Sequence, residues 1–409
     1  MSQDLRYAIE QFLSQSRLPV ALEPGDDPIP LDSGHFTFSG TTARPVLECW
    51  SDSRTLARRI SGIRTQRKGK IELTTEQFAG RKGTLVLLDL AHPTSSSATR
   101  GGDRLKFREQ FRLALRRQYP DWKIAEISTA PDLEHSLSPA YPRALLRKGA
   151  IAMAAIGAAP NGADPDGVLA FGLIWLDYLR HRERSLSVGG LLVFLPIGTE
   201  VNTCHRVRYL NPDHVKVAVF VHGHGTLEEP VNPADYTNFA THVQPVHSAP
   251  VTHHRGQPEA ELEQLIRANI QHLDGTLLNK PLYNQAPEMT SAHRGILDLL
   301  AVDFQGRLAI VELKASEDLH LPLQALDYWM RVKWHLERGD FARAGYFPGL
   351  TIRPEPPRLV LVAPASHFHP ANETILRFFS SEVAVERIGL GLEWRREVRV
   401  AFRQCSSGN

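Results

Sequence analysis

Apolar positions recur along the chain at two spacings. Residues 4–15 place them on one helical face and predict a short amphipathic helix. The Pro/Gly/Asp-rich stretch Pro19–Gly34 reads as loop. Alternating or short apolar runs then predict strands at 45–50, 69–74, 84–90, 122–128, 150–157, 190–196 and 215–221. Helical spacing predicts helices at 54–63, 102–118, 164–180 and 198–208. Pro93–Asp103 is Ser/Gly-rich and reads as loop, and no repeat of fixed period is visible.

Beyond Glu228 the pattern breaks. Pro230, Pro233, Pro245, Pro250 and Pro258 punctuate a stretch of little periodicity, and a linker is expected at 230–256. It carries His242, His247, His253 and His254, whose spacing matches no zinc pattern, so an exposed polar linker is the expectation. A helix follows over Pro258–Leu273, with Leu262, Leu265, Ile266 and Ile270 on one face. Strands are expected at 281–286, 296–303 and 307–315, a long helix at 320–337, a strand at 358–363, a helix at 370–379 and two closing strands. The order is α-β-β-β-α-β. The domains expected are 1–229, of mixed α/β character, and 257–409, joined by the linker.

Composition adds limits. A chain of 409 residues, 42% hydrophobic and 22% charged, is ordinary for two or three globular domains. Net charge is only +2, but 54–148 holds about twenty Lys/Arg against about nine Asp/Glu. That block is either a solvated basic surface or part of a nucleic-acid footprint. Cys49, Cys204 and Cys405 lie far apart, fitting a reducing cytoplasm. The N-terminus lacks signal-peptide order, and no apolar run reaches membrane-spanning length, so a cytoplasmic protein without membrane contact is expected.

The candidate chemistry sits in "GILDLLAVDFQGRLAIVELKASED", Gly295–Asp318. Two apolar stretches flank a turn at Asp303–Gly306, yet the first contains Asp298 and the second Glu312 and Lys314. Side chains alternate between faces along a strand, and pairing about that turn brings Asp298 near Glu312 and Lys314. A buried carboxylate pair is expensive without compensation. Lys314 offsets part of the cost; two carboxylates plus a backbone carbonyl also suit Mg²⁺. The competing explanation is a structural ion pair at a strand end. Gln324 and Tyr328 share a face of the next helix, and Glu259 and Glu263 share a face of the preceding one.

With these residues in order, 258–335 resembles the PD-(D/E)XK nuclease superfamily, closest in style to its NucS-like endonuclease branch. The matching pieces are Glu259-Ala-Glu-Leu-Glu263, Ile296-Leu-Asp298-Leu-Leu, Glu312-Leu-Lys314 and Gln324-Ala-Leu-Asp-Tyr328, about a fifth of the chain. One departure is His293-Arg294-Gly295 before the Asp298 strand, where that branch has Gly-Gly-Arg. The resemblance implies an α/β fold: a C-terminal αβββαβ restriction-endonuclease-like core whose central mixed sheet is flanked by helices. It implies Mg²⁺ or Mn²⁺ as cofactor and DNA as substrate, with RNA and a homodimer left open. Asp298 and Glu312 would ligate the metal with the Leu313 carbonyl, and Glu263 or Glu259 would complete the shell. Lys314 would orient or deprotonate the attacking water. Gln324 would hydrogen-bond near the metal or the scissile phosphate, supported by Tyr328. Arg294, Arg331 and Lys333 would meet the backbone. Trp329 and Trp334 are expected to pack.

Residues 1–229 contain no phosphate loop or nucleophile elbow. His222-Gly-His224-Gly reads as structural, and Asp132–Gly149 as a specialised loop entering a basic helix. Three functions compete: a metal-dependent DNA endonuclease whose N-terminal region selects substrate or partner, a non-catalytic nucleic-acid binder that keeps the fold, and a protein-interaction module.

Overall fold

The computed structural model describes residues 5–23, 28–32, 34–51, 55–76, 82–92, 100–160, 162, 164–223, 228–239, 243, 245–246, 257–284 and 298–406. It is an α/β protein built on three sheets.

The first sheet is antiparallel and seven-stranded, in the order β2-β1-β7-β6-β5-β4-β3. Its strands are β1 (Pro19–Leu22), β2 (Ile29–Pro30), β3 (Phe36–Thr41), β4 (Arg44–Trp50), β5 (Thr55–Arg67), β6 (Lys70–Glu76) and β7 (Lys82–Asp89). Alternation in β4 and β6 sends Leu47, Cys49, Ile71 and Leu73 to one face, where Leu5, Ile9 and Phe12 of α1 (Leu5–Gln15) cover them. Two expectations fail here. The stretch 54–63 is strand, not helix: β5 carries register shifts at Ile60/Gly62 and Ile63/Thr65, and these bulges stretch the alternation so that Leu56, Ile60 and Ile63 imitate helical spacing. Pro19–Gly34 holds β1 and β2, because Pro19 can open a strand that the apolar Val20–Leu22 continues against β7.

The second sheet runs β8-β9-β10-β11-β12-β13, and the third β14-β15-β16-β17-β18-β19. The second contains β8 (Lys123–Ser128), β9 (Arg143–Lys148), β10 (Ile151–Gly157), β11 (Ser187–Pro196), β12 (Lys216–His222) and β13 (Glu229–Val231). The helices around it are α2 (Arg100–Gln118), α3 (Val168–Arg182) and α4 (Val201–Val207). Asp132–Gly149 is a tight turn leading into strand β9, not a basic helix: alternate residues Ala144 and Leu146 face one core and Leu145 the other.

The C-terminal elements follow the expected order: α5 (Gln257–Ala268), α6 (Ile270–Leu273), β14 (Tyr283–Asn284), β15 (Leu299–Val302), β16 (Leu308–Leu313), α7 (Leu321–Glu337), α8 (Asp340–Arg343), β17 (Arg358–Pro364), α9 (Ala371–Leu376), β18 (Val385–Leu390) and β19 (Val400–Ser406). β16 is buried on both faces, which explains its unbroken apolar run. Leu308 and Ile310 face α7, while Ala309 and Val311 face α5. The β15–β16 turn closes on Gly306 at φ +90°, where a Cβ would lie 2.2 Å from the Thr351 carbonyl oxygen. One continuous core joins the inner faces of the second and third sheets through α3 and α7, and Phe239, from the stretch expected as linker, is buried in it. Residues 242, 247, 253 and 254 lie outside the described residues. Among those described, no helix is long and apolar enough to cross a membrane.

Candidate active site

The β15–β16 ladder pairs Leu299 with Val311 and Leu300 with Ile310. One step further, where β15 begins, Asp298 lies opposite Glu312. The Asp298 Oδ2 accepts the Leu313 amide at 2.6 Å, which pins the carboxylate against the end of β16. Asp298 is 5% exposed and Glu312 3%. Glu312 shares the inner face with Ile310 and so points toward α7, while Leu313 turns to the outer core.

Lys314 follows at the strand's end, its amide donating to the Val362 carbonyl at 3.0 Å. Its ammonium lies 3.1 Å from Asp318. Burial alone would lower its pKa, but the carboxylates of Glu312, Asp318 and Asp298 outweigh that and raise it. Lys314 is therefore an ammonium at neutral pH.

Tyr328, on the buried face of α7, feels the same pair. Its pKa is raised first by burial, then by Glu312 and Asp298, so its hydroxyl stays protonated. Gln324 is half-buried one turn earlier on that face. From the other side, α5 packs against β16. Glu259 accepts a long hydrogen bond, 3.5 Å, from Ser316 Oγ, two residues beyond Lys314. Glu263, one turn on, is buried. The structure thus sets Asp298, Glu312, Lys314 and Tyr328 within mutual electrostatic reach and brings Glu259 to the segment that follows Lys314.

The remaining sequence candidates stand apart. Arg331 is buried along α7, near Tyr328 and His205. Lys333 is held by Glu337 at 2.5 Å and Glu382 at 3.2 Å. Neither presents a loose surface cation to a backbone, because burial claims one and two carboxylates claim the other. Arg294 lies outside the described residues. In the basic block, Arg58 forks onto Glu23 at 2.7 and 2.9 Å, Arg112 pairs with Glu109 at 2.8 Å, and Arg117 with Glu228 at 2.6 Å. Arg58 and Arg117 hold separate elements together, and Arg112 also reaches Asp32 at 3.3 Å. Trp329 packs as expected and donates to the Pro357 carbonyl at 2.8 Å. His222 is structural, its Nε2 3.0 Å from the Ala158 carbonyl oxygen.

Sequence reasoning missed Asp318. It binds Lys314, and its Oδ1 accepts the His320 amide at 2.8 Å. Its only signal was a carboxylate four residues beyond the lysine. Asn372 of α9 was also missed; its Nδ2 donates to the Asp318 and Leu319 carbonyls at 3.0 and 3.2 Å, steadying the loop.

The donor set is all hard oxygen: two buried carboxylates, the Leu313 backbone and a helix carboxylate nearby. That chemistry fits Mg²⁺ or Mn²⁺, which retain waters when few protein ligands are offered. Among the described residues no group of three or more His, Cys, Asp or Glu side chains is arranged to hold a metal ion. A cation here would have Asp298 and Glu312 as its protein carboxylates.

No family model matches the chain, and no curated protein matches it. Among solved structures, a repair endonuclease from Pyrococcus abyssi is similar at 25% identity over 31% of this chain and 45% of that one, with a TM-score of 0.21. The chain spans less than half of that endonuclease's length.

Proposed function

We propose that the chain is a metal-dependent nuclease that hydrolyses DNA phosphodiester bonds at the Asp298–Glu312–Lys314 site. The observation that carries this reading is the burial of two carboxylates opposite one another beside the Lys314 ammonium. Two buried anions at one strand end are costly, and Lys314, which also holds Asp318, offsets part of that cost. Resemblance of the ordered motifs to PD-(D/E)XK nucleases supports the same reading.

A bound divalent cation would lower the pKa of water and neutralise charge on the phosphate. The protein's own groups then have distinct tasks. Asp298, fixed by the Leu313 amide, and Glu312 supply the anionic oxygens. Lys314, charged and tethered to Asp318, donates hydrogen bonds to the attacking water or to the phosphate oxygens as charge builds on them. Gln324 and Tyr328 offer neutral donors from α7. Water oxygen bonds to phosphorus, the bond to the leaving sugar oxygen breaks, and that oxygen ends protonated.

Incubating the protein with single-stranded, duplex and flapped DNA in Mg²⁺, Mn²⁺ or EDTA tests this. Cutting that needs the metal and disappears in Asp298→Ala and Lys314→Ala is the expected result. Salt-sensitive binding without cutting would favour a non-catalytic nucleic-acid binder. Neither cutting nor binding would favour an interaction module.

A further inference from the structure

The second and third sheets are wired alike. In each, successive neighbours pair antiparallel, antiparallel, parallel, parallel, antiparallel. In each, a helix precedes the first strand, a long helix links the third to the fourth, and a short one links the fourth to the fifth. Residues correspond as well. Strands β11 and β17 both end in proline, Pro196 and Pro364, at the same step of the ladder with the next strand. Phe194 and Val362 face the outer cores, as do Phe220 and Ile388. Phe111 and Leu115 of α2 cover one outer face as Leu262 and Ile266 of α5 cover the other.

The two units meet about a local twofold. Leu210, after α4, bridges Phe379, after α9. The Asn211 amide donates to the Phe378 carbonyl at 2.8 Å, and the Ser380 amide returns to the Tyr209 carbonyl at 2.9 Å. An arginine from each unit also reaches the other unit's long helix: Arg206 of α4 to Asp327 at 2.7 Å, and Arg377, just after α9, to Asp177 at 3.3 Å.

Carried through this correspondence, the site is reversed in sign. Arg143 pairs with Ile156 on the β9–β10 ladder, where Asp298 faces Glu312 in the C-terminal unit. Two residues beyond Ile156, where Lys314 would stand, is Ala158. On the helix, Arg108 and Arg112 hold the positions of Glu259 and Glu263. These arginines serve structure instead: Arg112 lies 3.3 Å from Asp32 of the N-terminal sheet region, and Arg143 donates to the Ala130 carbonyl at 2.6 Å beside the Trp175 ring. None of the four equivalent positions carries a carboxylate, and the acidic groups nearby are paired with arginines, Glu109 with Arg112 at 2.8 Å and Glu126 with Arg182 at 2.5 Å.

We propose that residues 100–235 are a second copy of the C-terminal unit, emptied of its carboxylates and fused as that unit's permanent dimer partner, so that one chain carries one centre and cuts one DNA strand per encounter. The strand claim rests on the nuclease reading above; the fusion claim does not. Two measurements separate them. In a Cys405→Ser background, Leu210→Cys/Phe379→Cys is expected to form a disulfide within one chain, seen as a faster, reductant-sensitive monomer band. A disulfide-linked dimer, or no bond under oxidation, would overturn the fusion. With supercoiled plasmid and Mn²⁺, nicked circles are expected first, at a rate linear in protein concentration. Ile156→Val is expected to leave that rate unchanged while Glu312→Gln removes it. Direct linearisation, or a rate that rises with the square of concentration, would overturn the single centre. An intrachain bond with no cutting at all would retain the fusion and overturn both the strand claim and the nuclease reading.

Discussion

Glu312 is the residue at which stability and chemistry pull apart. It is buried, faces Asp298 and shares one ammonium with it. Glu312→Gln keeps the shape and removes one of two repelling charges. The expected outcome is a protein more stable by about 1 kcal/mol that has lost metal-dependent cutting, measured by urea denaturation and plasmid cleavage. Lys314 makes a pH prediction. Its folded pKa is raised above the usual lysine value by Glu312, Asp318 and Asp298, against the opposing pull of burial. A raised pKa means the ammonium's contribution is fully present below the unfolded pKa, near 10.5, and is lost as pH rises through the folded pKa. The stability gap between wild type and Lys314→Met is therefore expected to stay constant from neutral pH to about 10 and to shrink above it. Chemical denaturation across that range reads it directly.

Elements with a single clear period were legible in the sequence. β16 announces itself as an apolar run ended by Glu312-Leu-Lys314, and α7 by its buried face, so Asp298, Glu312, Lys314 and Tyr328 could be brought together on paper. β5 was not legible, because its bulges convert alternation into apparent helical spacing. Asp318 was not, because a loop has no period to place its carboxylate. The arginines of α2 read as a basic surface because sequence places Glu109 one turn before Arg112 but cannot bring the distant Asp32 beside it. The bidentate contact of Arg206 in α4 with Asp327 in α7, at 2.8 and 2.7 Å, makes an element-scale prediction. Arg206→Ala leaves the half-buried Asp327 carboxylate without its fork and is expected to cost about 2 kcal/mol. Arg206→Lys should recover only part, since lysine cannot reproduce the fork. Urea midpoints of the three proteins decide it.

Across the whole molecule, two like-wired units share one core, and sequence gave no hint of it, because equivalent positions kept their apolar character but not their residues. His205 sits in that shared region, its ring 4.3 Å from Phe239. Burial pushes its pKa down to about 4, with Arg331 and Arg208 adding to the effect. A depressed pKa means the neutral imidazole's contribution is fully present above the ordinary value of 6.5 and is lost as pH falls toward 4. Wild type is expected to lose stability over that window faster than His205→Gln, by melting temperature at stepped pH.

Asp298 and Glu312 are expected to hold a divalent cation between them. Anomalous scattering from a manganese-soaked crystal measures that directly. A peak bounded by the two carboxylates and absent in Glu312→Gln is the expected result; no peak there, or one unaffected by the substitution, would contradict it.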